Sequence, residues 1–97
     1  MTDVLSHHIG KLIEIANRAI EADEMERLAA LEKADLNAAY EDFKERNGIA
    51  HINPDTPEWG AMMDETKGEY DASEAARRKA YNAKRRLKSA IARYRAA

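Results

Sequence analysis

An all-α fold, a long antiparallel helical hairpin, is what this sequence predicts, and three observations carry the prediction. Between Lys11 and Asn47 there is neither Gly nor Pro, and most residues are strong helix formers. A loop bearing Gly and Pro, "GIAHINPDTPEWG", interrupts the chain at 48–60. Beyond it, apolar residues recur at spacings of three and four almost to the C-terminus. Leu, Ile, Val and Phe fill only 15 of the 97 positions while Ala fills 19, a balance that suits helix better than disorder.

The first helical region spans 3–47 and ends at the stop signal "RNG", 46–48. At 100° per residue, Leu5, Ile9, Leu12, Ile13, Ala16 and Ile20 share one arc, whereas Met25, Leu28, Leu31, Leu36, Ala39 and Phe43 share a second. The two arcs are displaced by about 100°, far more than the drift of about 20° per heptad in a steady supercoil. The expectation is a kink or split near "EADE", 21–24, where Asp23 and Glu26 resemble a capping box. The first arm is therefore one kinked helix or two helices.

The loop covers 48–56. Thr56 is a good N-cap, Pro57 suits the first helical position and Glu58 complements the helix dipole, which starts a second long helix over 57–95. Its apolar stripe runs Trp59, Met62, Met63, Thr66, Tyr70, Ser73, Ala76, Ala80, Ala83, Leu87, Ala90, Ile91, Tyr94. Small residues line the middle, which lets another helix approach closely. Two arms of roughly 60 Å enclose little core, and a chain this short buries only about 60–65% of its unfolded surface. Association into a homo-oligomer is therefore expected, a dimeric four-helix bundle first, with the N-terminal segment folded back into a three-helix bundle as the other solution.

Charge is segregated along the chain although the net charge is only −2. Residues 76–95, "ARRKAYNAKRRLKSAIARYR", hold nine Lys or Arg and no carboxylate, whereas residues 32–74 hold twelve carboxylates against four cations. On a helical wheel Arg77, Lys84, Lys88 and Arg95 form a row beside the core edge, with Tyr81 and Arg85 next to it. Lys79, Arg86 and Arg93 take the opposite flank. Such a row can follow a phosphate backbone. The competing explanation is intramolecular pairing, with Glu24 level with Arg78 and Glu14 level with Lys88. The six carboxylates and two cations of residues 1–26 offset less than half of the basic run.

No catalytic signature is present. There is no Cys, so disulfides and thiolate metal sites are excluded. The N-terminus lacks the layout of a signal peptide and no apolar run approaches the length of a membrane span, which leads to the expectation of a soluble, cytoplasmic protein. His7 and His8 are adjacent and point about 100° apart on a helix, and His51 stands alone. The sets Glu41, Asp42, Glu45 and Asp64, Glu65, Glu69 lack a histidine at the spacing of carboxylate-bridged sites. Ser6, His7 and Asp3 fall on different helix faces. No cofactor, metal or enzymatic activity is expected.

The segment "HINPDTPEWGAMM", 51–63, is the most individual. Trp59, Met62 and Met63 with Ile49 and Ile52 either plug the hairpin tip or form a partner-binding knob. The hairpin and its "EWG" resemble the architecture of the small WXG-type secreted proteins. Trp59 and Gly60 are adjacent, however, where that family has a residue between them, and the Tyr-x-x-x-acid signal does not follow Tyr81 or Tyr94. The resemblance implies architecture alone.

The expected function is that of a non-enzymatic, self-associating interaction protein. It would bind a macromolecular partner, a protein first, through charge-segregated faces as a regulator, adaptor or inhibitor, in the manner of phage or mobile-element accessory factors. The candidate partner-binding residues are Arg77, Arg78, Lys84, Arg85, Lys88, Arg93 and Arg95 on the basic face. At the tip they are Trp59, Met62, Met63, Asp64, Glu65 and Glu69. Nucleic-acid binding by the basic helix is the first alternative. An acidic tip that mimics nucleic acid, using Asp64, Glu65, Glu69 and Asp71, is the second.

Overall fold

The computed structural model describes the backbone of residues 2–96 and the side chains of residues 4–96, so the Asp3 side chain, weighed above with Ser6 and His7, lies outside the described residues. Three helices follow in order, α1 (Thr2–Arg46), α2 (Pro57–Glu65) and α3 (Lys67–Ala96). α1 packs against α3 along an antiparallel seam, in a rod of 71 × 19 × 18 Å. No strand occurs among the described residues.

α1 runs without interruption through 21–24, which corrects the expected break in the first arm. The reason is the choice of seam. Half-buried or buried positions recur along α1 as Ile15, Arg18, Ala22, Met25, Ala29, Glu32, Leu36, Ala39 and Phe43, alternately three and four residues apart in one unbroken heptad register. The seam is continuous because it uses small residues and the stems of charged ones. The large aliphatics of the first arc lie elsewhere: Leu5, Ile9, Leu12, Ile13 and Ile20 are all exposed.

In the second arm the predicted stripe holds. Ser73, Ala76, Ala80, Ala83, Leu87, Ala90 and Tyr94 repeat at three and four residues and face the seam, with Ala83 wholly buried. Tyr70 is the exception, at 45% exposure. The arm divides at Thr66, between α2 and α3. There the Thr66 N–H and its hydroxyl both donate to the Met62 carbonyl, at 3.0 and 2.7 Å. A hydroxyl competing for an i−4 carbonyl bends a helix without ending it, and the Tyr70 N–H still reaches the Thr66 carbonyl at 2.9 Å.

The tip is built as its sequence suggests. Gly48 has φ +64°. The Ile49 N–H donates to the Lys44 carbonyl at 2.9 Å and the Gly48 N–H to that of Glu45 at 3.2 Å, the paired bonds of a Schellman stop. Thr56 caps α2 by accepting from the Trp59 N–H at 3.2 Å. Phe43, Ile52 and Met62 form the buried tip core, and Tyr40, Ile49, Trp59 and Met63 pack against it. No described helix is long and apolar enough to cross a membrane.

Candidate macromolecule-binding surface

The seam decides which cations of α3 are tied down. Arg86 donates from Nε to Glu21 at 2.8 Å, Arg93 pairs with Glu14, and Lys84 pairs with Glu26 at 2.8 Å. All three cations sit at the edges of the α3 stripe, where an antiparallel partner presents its own edge residues. The register differs from the expected one, in which Glu14 stood level with Lys88 and Glu24 with Arg78. Arg46 pairs with Glu65, so the last turn of α1 meets the end of α2 and most of α2 projects past α1. That overshoot seats Met62 over Phe43 and shifts every later pair.

Other cations are used locally. Arg77 pairs with Glu74 one turn back at 2.8 Å. Arg78, Lys79, Arg85, Lys88 and Arg95 have no described carboxylate within 4.0 Å. Of these, Arg78, Arg85 and Lys88 lie on the side of α3 turned away from the buried Ala76–Ala80–Ala83 stripe. The Arg85 guanidinium lies over the Tyr81 ring at 5.9 Å from its centroid, which limits the freedom of a long exposed side chain. Along one edge a shallow groove is lined by Arg18, Asn82, Arg85, Arg86, Ser89 and Arg93, its charge partly offset by Glu14 and Glu21 below it.

Protonation follows these contacts. The hydrogen bond from Arg86 holds the Glu21 carboxyl below its ordinary value, with the charges of Arg86 and Arg18 acting in the same direction against a desolvation that raises it. Hydrogen bonds to Glu65 and then Asp42 raise Arg46. Burial at the tip raises the Tyr40 phenol.

The tip residues separate into two groups. Met62 is 2% exposed and belongs to the tip core, while Trp59 and Met63 are half-buried against it. Asp64, Glu65 and Glu69 are exposed, and Glu65 is held by Arg46. Asp71, of the mimic reading, pairs with Lys67 at 3.0 Å. At the open end the Tyr94 hydroxyl and His8 Nε2 are 2.7 Å apart with ring centroids at 4.7 Å. His51 contacts Asn53 at 3.0 Å. Among the described residues no three His, Asp or Glu side chains gather as a metal site.

Sequence reasoning missed Glu21, Glu26 and Arg46 as the residues that tie the arms together. The signal for the first two was present as edge positions of a heptad register, legible only once the seam is known. Compared with known protein families, curated proteins and solved structures, the chain matches none.

Proposed function

We propose that this chain is a non-enzymatic, self-associating helical binding protein, a regulator, adaptor or inhibitor that engages a protein partner of opposite charge through the outward face of α3. One observation carries the reading. Arg78, Arg85 and Lys88 share that face and have no described carboxylate within 4.0 Å, whereas their neighbours Lys84, Arg86 and Arg93 are bound to α1. Cations that the fold does not use are available for complementary contacts, which set partner choice and association rate.

A nucleic-acid accessory role is the second reading, favoured by the spacing of Arg78, Arg85, Lys88 and Arg95 along one helix with Tyr81 among them. It ranks behind because the rod is 71 Å long and a long polyanion lying along it would meet the twelve carboxylates of residues 32–74. A protein can match both ends.

The test compares the wild type with Arg78→Glu, Arg85→Glu, Lys88→Glu as one triple variant. Under the protein reading, capture from nuclease-treated lysate recovers a partner that the equally helical triple variant loses. Fluorescence anisotropy with a short mixed-sequence duplex then shows no binding. Duplex binding that the variant abolishes, and that weakens by orders of magnitude between about 50 and about 200 mM salt, would put the nucleic-acid reading first. If the triple variant behaves as the wild type in both assays, the outward face has no such role.

A further inference from the structure

We propose that the partner lays an acidic α-helix along the outward face of α3, from Arg78 to Arg95. The inference rests on the protein-binding function proposed above and names the element that the partner supplies.

The face has a helical period of its own. Arg78, Tyr81, Arg85, Lys88, Ala92 and Arg95 are all exposed and follow one another at spacings of 3, 4, 3, 4 and 3. That is a heptad repeat, and its drift of about 20° per heptad around α3 is one that a second helix follows by supercoiling. The stripe lies away from the buried Ala76–Ala80–Ala83 side, so a helix seated on it leaves the hairpin intact. Towards the N-terminus of α3 the same register continues through Glu74 and Asp71, where the sign of the charge reverses. An acidic occupant therefore ends at Arg78, which makes the contact about 25 Å long.

The stripe also has sockets. One shallow hollow is lined by Glu74, Arg77, Arg78 and Tyr81, whose side chain is 62% exposed, and a second by Lys88, Ile91, Ala92, Arg95 and Ala96. Both expose mostly carbon, because the stems of the charged side chains form part of their walls. Tyr81 and Ala92, one in each hollow, are eleven positions apart, about 16 Å or about three turns along the axis. A facing helix reaches both hollows with apolar side chains at that spacing. Its carboxylates then stand beside Arg78, Arg85, Lys88 and Arg95, none of which has a described carboxylate within 4.0 Å. The Arg85 guanidinium already lies over the Tyr81 ring, so less of its freedom is lost on binding. Other occupants fit less of this. A duplex supplies phosphates but keeps its base faces stacked away from both hollows, and an extended peptide repeats every two residues. A second copy related by a two-fold axis through this face sets cation against cation, and one docked through its acidic α1 continues head to tail into a ring or filament.

Fluorescence anisotropy tests this with a synthetic probe, an Ala- and Gln-based peptide of the length of residues 78–95. It carries Glu, Leu, Glu, Glu, Leu and Glu at the spacings of the α3 stripe, a pattern that reads the same in both directions. The purified chain is expected to bind it, with a gain of helix seen by circular dichroism. An isomer with the same six residues at every second position binds about tenfold or more weakly. Tyr81→Ala, at an exposed position, weakens the probe by about the same factor and hardly affects a probe with Ala in place of both Leu. Equal affinity for the two isomers would mean attraction by charge alone, no binding would mean no helix site, and preference for a short mixed-sequence duplex would give the face to nucleic acid; each overturns the proposal. So does a wild-type oligomer that Arg78→Glu, Arg85→Glu, Lys88→Glu dissociates in light scattering, because the occupant is then a second copy. If the probe fails while that triple variant still loses its captured partner, the helical partner is refuted and the binding face stands. A probe that binds as expected, with no partner captured from lysate, does the reverse.

Discussion

Arg86 donates a hydrogen bond from Nε to Glu21 at 2.8 Å across sixty-five positions of chain, and this contact divides the basic run of α3 into a tied edge and an unoccupied outer face. The tied edge holds the hairpin in register. The outer face is left with charge that the fold does not consume, and this is the basis of the proposed binding role.

Substitutions on the two faces are expected to separate stability from binding. Arg86→Ala removes an inter-arm contact and lowers the melting temperature, whereas Arg78→Ala removes no described ion pair and leaves it within error. Thermal melts by circular dichroism at low salt check this. Equal effects would mean that the edge pairs contribute nothing.

Acid should weaken the hairpin partly through Glu21. Its carboxyl is held below the ordinary glutamate value of 4.5 by Arg86, so the folded state favours the charged form. The resulting stabilisation is complete above that value and is lost as pH falls through the lowered one. Melting temperatures followed from about pH 6 to about pH 3 should fall less steeply for Arg86→Ala than for the wild type.

Gly48→Ala places a Cβ at φ +64°. Nothing stands in the way of the added methyl, so the cost is conformational, about 1–2 kcal/mol for a left-handed L-residue. Denaturant titration should show a lower midpoint with an unchanged slope.

Ala83→Leu inserts three carbons at the one described position with 0% exposure. The seam has no room for them at its Ala-lined centre, and overpacking of this kind costs about 1–3 kcal/mol. Ala92→Leu, on the exposed side of the same helix, should change the chemical-denaturation midpoint little.

Sequence by itself determined the helices and their ends. Uninterrupted helix formers set α1, "RNG" supplied the glycine that its left-handed stop requires, Thr56 and Pro57 started α2, and the Ala76–Ala80–Ala83–Ala90 stripe named the face of α3 that packs. These are local properties, set by propensity, capping geometry and periodicity within a few residues. Tertiary structure decided which face of α1 meets that stripe. Two arcs of α1 were apolar enough to qualify, and hydrophobicity favours Leu5, Ile9 and Leu12. Alanines on α3 instead admit a close partner backbone, which Ala22 and Ala29 supply. That choice removed the expected break at 21–24; the bend lies instead in the second arm at Thr66, where the hydroxyl reaches the Met62 carbonyl. It also set which carboxylates reach which cations. Pairings such as Glu21 with Arg86 depend on the register of two helices joined by a loop, and the composition of neither helix contains that register.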